Sequence, residues 1–134
     1  MMQQAMNLLE QESQLAEIVR LVGAESIGAR DRMTLETAKS IREDFLHQNA
    51  FHKVDTFTPI EKQHEMIKLI LHFHGMGLQA IEQGVETADI FKLGVREDIA
   101  RAKYIDNEKV DQVAAIKDEV DKQMKELQTT AVGS

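Results

Sequence analysis

Apolar residues recur every three or four positions through four long stretches of this chain, and no stretch shows a strand pattern. This spacing places the apolar side chains on one face of an α-helix. The 134 residues include one proline and no cysteine, so disulfide bonds and thiolate metal sites are excluded. The length fits one domain, whose folding buries roughly two-thirds of the unfolded surface. We therefore predict an all-α fold, a compact antiparallel bundle of five to six helices over residues 1–128, followed by a tail at 129–134.

The first two predicted helices are separated by glycine and polar residues. The first helix is expected over residues 2–22 and ends at Gly23, a residue suited to the left-handed conformation that closes many helices. Its apolar stripe consists of Leu8, Leu15, Ile18 and Val22. The second helix is expected to open near Asp31, whose carboxylate can accept hydrogen bonds from free amides of the first turn.

The third helix has the clearest start signal. Thr58 is a capping residue, Pro59 suits the first helical position, and Glu61 completes a capping box. We expect this helix to run to about residue 83, with Gly75 and Gly77 allowing a bend or a close helix contact. Short helices are then predicted at 88–93 and 96–104, and a final amphipathic helix begins near 106.

Charge and hydropathy restrict the function. The formal net charge is −7, and an acidic surface repels phosphate, which argues against nucleic acid binding as the main task. No apolar run approaches the 18 residues of a membrane span. Because the N-terminus also lacks the pattern of a signal peptide, we expect a soluble intracellular chain.

Histidines suggest metal binding, but their spacing does not favour it. His72 and His74 are about 200° apart around a helix, so they cannot chelate one ion together. Glu61 and His64 have the Glu-x-x-His spacing of di-iron bundles, which require a second copy that this chain lacks. A metal–carboxylate oxidase remains an alternative that predicts stoichiometric iron or manganese. The chain also lacks the phosphate-binding loop G-x-x-x-x-G-K-[ST].

Several long strings resemble one known family. They include LAEIVRLVG at 15–23 and DRMTLETAKSIREDFL at 31–46, and they continue at 48–51, 54–57, 61–63, 66–73, 95–97 and 99–104. In this order they closely resemble the C-terminal helical domain of the catalytic A subunit of archaeal-type and vacuolar-type rotary ATPases. The resemblance covers nearly the whole chain and thins after about residue 108.

The resemblance implies a role within a larger machine. The chain would be the last part of a subunit whose nucleotide-binding domain, with ATP or ADP and Mg, precedes it. The whole subunit would make or hydrolyse ATP, coupled to ion transport. Expected partners are the central rotor stalk subunits and neighbouring non-catalytic B subunits in a hexameric head. The complex would be cytoplasmic and peripheral to the membrane, without direct insertion of this domain. The fragment alone is expected to hold no cofactor or metal and to be inactive.

The same resemblance implies two sets of site residues. The loop after the first helix corresponds to the acidic lever of the related F-type β subunit, which makes a rotor-stalk contact; three acids of that lever are replaced here by Ser, Ala and Arg. The residues implied in this contact are Glu25, Ser26, Ile27, Gly28, Ala29 and Arg30. Phe45 and Phe51 correspond to aromatic residues at the edge of the nucleotide pocket, although Phe45 also fits a place in the helix core.

Two departures from the family pattern are visible. His74 stands where an aromatic residue is expected, and Gly94 stands where proline is expected; both are expected to alter packing. A rival interpretation from another functional class is a free-standing helical adaptor that binds a partner helix and has no link to ATP.

Overall fold

The computed structural model describes residues 2–46, 60–105 and 110–133. These residues form six α-helices and no strand. The helices are α1 (Met2–Val22), α2 (Ala29–Ser40), α3 (Ile60–Glu82), α4 (Thr87–Phe91), α5 (Val95–Arg101) and α6 (Val110–Gly133). A 3₁₀ turn (Ala24–Ser26) joins α1 to α2, a π-helical segment (Ile41–Leu46) extends α2, and a second 3₁₀ turn (Ala102–Tyr104) follows α5. The predicted all-α bundle is confirmed.

The core lies mainly between α3 and α6, which form the largest helix–helix contact. Their buried apolar residues repeat at intervals of three and four, as the sequence predicted. Those of α3 are Met66, Ile67, Leu69, Ile70, Phe73 and Ala80, and those of α6 are Val113, Val120 and Met124. The short helices α4 and α5 close the core with Ile90, Val95 and Ile99.

Polar side chains fix the ends of the short helices against the long ones. The Val95 amide donates to Oε1 of Gln123 at 3.0 Å, so α6 caps the start of α5. The buried ammonium of Lys62 donates to the carbonyl oxygen of Ile105 at 2.5 Å. This bond joins the start of α3 to the segment that follows α5.

Helices α2 and α3 run antiparallel. Moving along α2 from Arg30 to Thr37, the partners on α3 move back from Glu82 to His74. Between these two levels, Gly77 of α3 approaches the Met33 side chain. A Cβ atom at Gly77 would lie 2.5 Å from Cε of Met33, whereas one at Gly75 would meet nothing within 4 Å. The close helix contact predicted for these glycines therefore exists at Gly77.

Glycine ends two helices as expected. Gly23 after α1 and Gly84 after α3 have φ of 96° and 97°, in the left-handed region that is costly for other residues. The Gly23 amide donates to the Val19 carbonyl at 2.9 Å, and the Gly84 amide donates to that of Ile81 at 3.0 Å. Both bonds satisfy carbonyls that a helix end leaves without an intrahelical partner.

Three sequence-based boundaries require comment. Helix α2 begins at Ala29 with Gly28 as N-cap, so the prediction of a start capped by Asp31 was wrong. Asp31 lies in the first turn, where its charge favours the positive end of the helix dipole. Helix α6 continues to Gly133, through most of the predicted tail. The proposed capping box at Thr58 and Pro59 falls outside the described residues.

No helix in the described ranges combines the length and apolar character that crossing a lipid bilayer demands.

Candidate functional site: the tip between the first two helices

The tip, defined as residues 23–30, is a compact turn closed by its own backbone. The Ser26 amide donates to the Gly23 carbonyl at 3.2 Å, and the Ser26 hydroxyl donates to the same oxygen at 2.6 Å. One turn further, the Arg32 amide donates to the Gly28 carbonyl at 3.0 Å and begins α2. These bonds explain why the polar and glycine-rich stretch forms an ordered corner between two helices.

The six residues implied in a rotor contact all lie in this tip, but not all face outward. Four of them, Glu25, Ser26, Gly28 and Arg30, are exposed. Ala29 is partly buried, and Ile27 is only 8% exposed. Ile27 is therefore buried, although it lies outside the main core cluster, and the exposed chemistry of the tip is one carboxylate, one hydroxyl and one guanidinium.

An ion pair connects the tip to the end of α3. Nη1 of Arg30 lies 2.8 Å from Oε1 of Glu82, and both side chains are more than half exposed. An exposed pair of this kind contributes at most about 1 kcal/mol. Its effect is mainly to orient the first turn of α2 over the last turn of α3.

The last turns of α1 expose apolar side chains beside the tip. Ile18, Leu21 and Val22 are 44%, 69% and 67% exposed, at spacings that place them on adjoining faces of the helix. We call these three residues the apolar end of α1. The sequence stripe had assigned Ile18 and Val22 to the same face as Leu8, but only Leu8 is buried.

The face of α1 that packs on the bundle follows a different register. Its least exposed residues are Ala5, Leu8, Leu9, Glu12, Leu15 and Val19. Glu12 accepts hydrogen bonds from the guanidinium of Arg42 at 2.6 to 3.2 Å, which ties the middle of α1 to the end of α2. Because Glu12 on this face is polar, a search for apolar residues alone does not identify the face. A spacing of 5, 8, 12, 15 and 19 would have been the signal for it.

The residues implied at a nucleotide pocket remain a prediction. Phe51 lies outside the described residues. Phe45 lies in the π-helical segment Ile41–Leu46, but its side chain is outside the described part of the structure.

The histidines have separate partners. Nε2 of His72 lies 2.6 Å from Oδ1 of Asp121 on α6, and Nδ1 of His74 lies 2.6 Å from Oγ1 of Thr37 on α2. His64 is exposed. In residues 2–46, 60–105 and 110–133, no three His, Cys, Asp or Glu side chains come together as a metal site.

Comparison with known proteins gives a consistent result. The sequence profile of the C-terminal domain of V and A type ATP synthase matches residues 1–91. The V-type ATP synthase alpha chain of Thermoanaerobacter pseudethanolicus is 52% identical over 122 residues, 91% of this chain and 20% of the relative. The A subunit of the A-type ATP synthase of Methanopyrus kandleri is 49% identical over 125 residues, 92% of this chain and 21% of the relative.

This chain thus spans about a fifth of the length of the relatives that it matches. The matches cover the tip, the apolar end of α1 and most of the bundle. The chain belongs to the family of C-terminal domains of V and A type ATP synthases.

Proposed function

We propose that this domain is the mechanical end of the catalytic subunit of a rotary, ion-translocating ATP synthase or ATPase. Nucleotide-driven motion elsewhere in that subunit swings the domain, and the tip presses on the central rotor stalk. The observation that carries the proposal is the sequence similarity. About half of the residues are identical to those of ATP synthase A subunits and alpha chains, over nine-tenths of this chain. These matches favour this role over an adaptor unrelated to ATP.

The architecture of the domain suits a lever. The tip has one buried apolar side chain, Ile27, and the exposed Arg30–Glu82 ion pair links it to the end of α3. Because α3 continues from Glu82 into the core shared with α6, a load on the tip reaches the bundle through packed helices.

The chemistry of the tip favours contact by shape over contact by dense negative charge. Its exposed charges are Glu25 and Arg30, and the neighbouring apolar end of α1 adds three exposed aliphatic side chains. Apolar surface that a partner covers supplies roughly 25 cal/mol per Å². We propose that the stalk covers both the tip and the apolar end of α1.

The rest of the assignment follows from the same proposal. The nucleotide and Mg belong to the preceding domain of the parent subunit, and the adjoining subunits are the non-catalytic B chains of a hexameric head. The complex is peripheral to a membrane sector on its cytoplasmic side. The 134-residue chain alone neither binds ATP tightly nor hydrolyses it, which an assay of the purified chain tests; robust turnover would contradict this.

Photo-crosslinking in the assembled complex tests the stalk contact. The chain has no cysteine, so Ser26→Cys in a cysteine-free full-length subunit places one maleimide-benzophenone probe at the tip. We expect an ultraviolet-dependent adduct with a central stalk subunit. The control is His64→Cys, an exposed position 18 residues and thus about 27 Å along α3 from Glu82. Equal stalk adducts from both positions, or none from the tip, would overturn the proposal.

A further inference from the structure

His74 lies where three helices meet. Its Nδ1 atom is 2.6 Å from the Thr37 hydroxyl of α2, and Thr37 is only 3% exposed. The same ring borders a half-open hollow of about 330 Å³ between α3 and α1. His74 therefore lies in the seam along which the α1–α2 pair packs on α3, about one turn before Gly77.

The surroundings of this ring suit a neutral imidazole and disfavour an imidazolium. From α2, the charged group that faces it is Arg30, which is paired with Glu82 of α3. From α1, the polar side chains along the hollow are the uncharged Gln4, Asn7 and Gln11. In the described part of the chain, no carboxylate contacts the ring nitrogens of His74.

The hydrogen bond to Thr37 depends on the protonation state. A neutral imidazole has one acceptor and one donor nitrogen, so a hydroxyl can pair with either tautomer. When Nδ1 of the neutral ring accepts the Thr37 proton, protonation of that nitrogen reverses the bond, so that Thr37 must accept and its own proton must find another acceptor. Because Thr37 is buried, water does not readily supply that acceptor.

Burial lowers the pKa of His74 below its ordinary value of 6.5, and the positive charge of Arg30 lowers it further. The folded chain therefore binds this proton more weakly than the unfolded chain. The stability that His74 contributes is complete above about pH 6.5, the ordinary pKa of histidine, and is lost as the pH falls from there towards the lowered pKa.

We propose that His74 is a pH-sensitive latch between α2 and α3, closed by the neutral ring through Thr37 and loosened when the ring is protonated. Loosening would act on the α1–α2 pair and its tip, and not on the α3–α6 core. The latch is a property of the packing and does not depend on the proposed role in a rotary complex.

Hydrogen exchange of the 134-residue chain at pH 7.5 and 5.5, corrected for the intrinsic exchange rate, tests the latch. We expect amides of α2 around Thr37 to lose protection several-fold on acidification, while those of α6 around Val120 lose little. His74→Phe, an aromatic ring that cannot titrate, should abolish the selective loss. His74→Gln is the second variant, because it keeps a hydrogen-bonding group for Thr37 and is also uncharged at both pH values.

A titration of the imidazole carbon resonances by NMR gives an independent readout. We expect the pKa of His74 to lie below 6.5, the ordinary value of histidine. His72→Gln is the control that removes the other partnered histidine and should leave the response of α2 unchanged. The latch is overturned if His74 titrates at or above 6.5, if both His74 variants keep the selective loss, or if α2 and α6 lose protection equally.

Discussion

Helices α1 and α6 carry apolar residues at the same helical spacing, yet they bury them to different extents. In α6, Val113, Val120 and Met124 are fully buried against α3. Among the described side chains of α1, only Ala5 and Leu8 are buried. In its last turns, about two-thirds of the surface of Leu21 and of Val22 is exposed to solvent. The spacing makes both segments amphipathic helices, but the neighbouring elements decide which turns have a partner.

The difference separates the domain into two regions. The α3–α6 core stabilises the fold, whereas the end of α1 and the tip are exposed to solvent. Exposed aliphatic side chains contribute little to folding, and the three at the apolar end of α1 form part of the surface that we propose the stalk covers.

The largest expected effect is in the core. Met124→Ala should lower the free energy of unfolding by about 2–5 kcal/mol, because Met124 is fully buried and its loss leaves a cavity. Leu21→Ala is the matched control in α1 and should change it by no more than about 0.5 kcal/mol. Urea denaturation of both variants measures the two values. Similar losses of unfolding free energy in the two variants would contradict the difference in burial between Met124 of α6 and Leu21 of α1.

An intermediate effect is expected at the seam between α2 and α3. Gly77→Ala should be about 1–3 kcal/mol less favourable than Gly75→Ala, because the new methyl group would overlap Cε of the buried Met33 side chain, which then has to shift. Gly75→Ala, on the same helix with open space at its Cβ position, should stabilise the chain by up to about 1 kcal/mol.

A double-mutant cycle sharpens this second comparison. In a Met33→Ala background the overlap is removed, so Gly77→Ala should cost less than it does in the parent chain. The measurement is again the urea midpoint at constant slope. An unchanged cost of Gly77→Ala would show that the close approach of Met33 is not the cause.

The smallest stability effect is expected at the tip. Arg30→Ala removes an exposed ion pair and should lower the free energy of unfolding by less than about 1 kcal/mol. The cost of Arg30→Ala should also become smaller as the salt concentration rises, because salt screens the exposed ion pair of the parent chain. A cost that is both larger and independent of salt would indicate a structural role beyond orienting the first turn of α2.

Local signals in the sequence predicted the helices well. Gly23 and Gly84 end α1 and α3 because their left-handed conformation excludes most other residues. The apolar stripes of α3 and α6 face the core because each has a long partner. The family resemblance, carried by long ordered strings, is confirmed by the comparisons.

Features that depend on tertiary neighbours were not predictable in the same way. Asp31 has the chemistry of a cap, but Gly28, three residues earlier, is the N-cap of the helix. Ile27 is buried within a polar loop, and Ile18 is exposed on an amphipathic helix, because burial depends on the element packed opposite. The contact between His74 and Thr37 joins residues 37 positions apart and leaves no trace in local spacing.

The central claim is that this domain transmits force through the tip and the apolar end of α1. ATP-driven rotation of single assembled complexes tests it, with Ile18, Leu21 and Val22 all changed to Ser in the full-length subunit. Because these side chains are exposed, the domain should stay folded, as circular dichroism and urea denaturation would verify. We expect continued ATP hydrolysis with a clear loss of torque against a viscous load. Torque equal to that of the unaltered complex would contradict it.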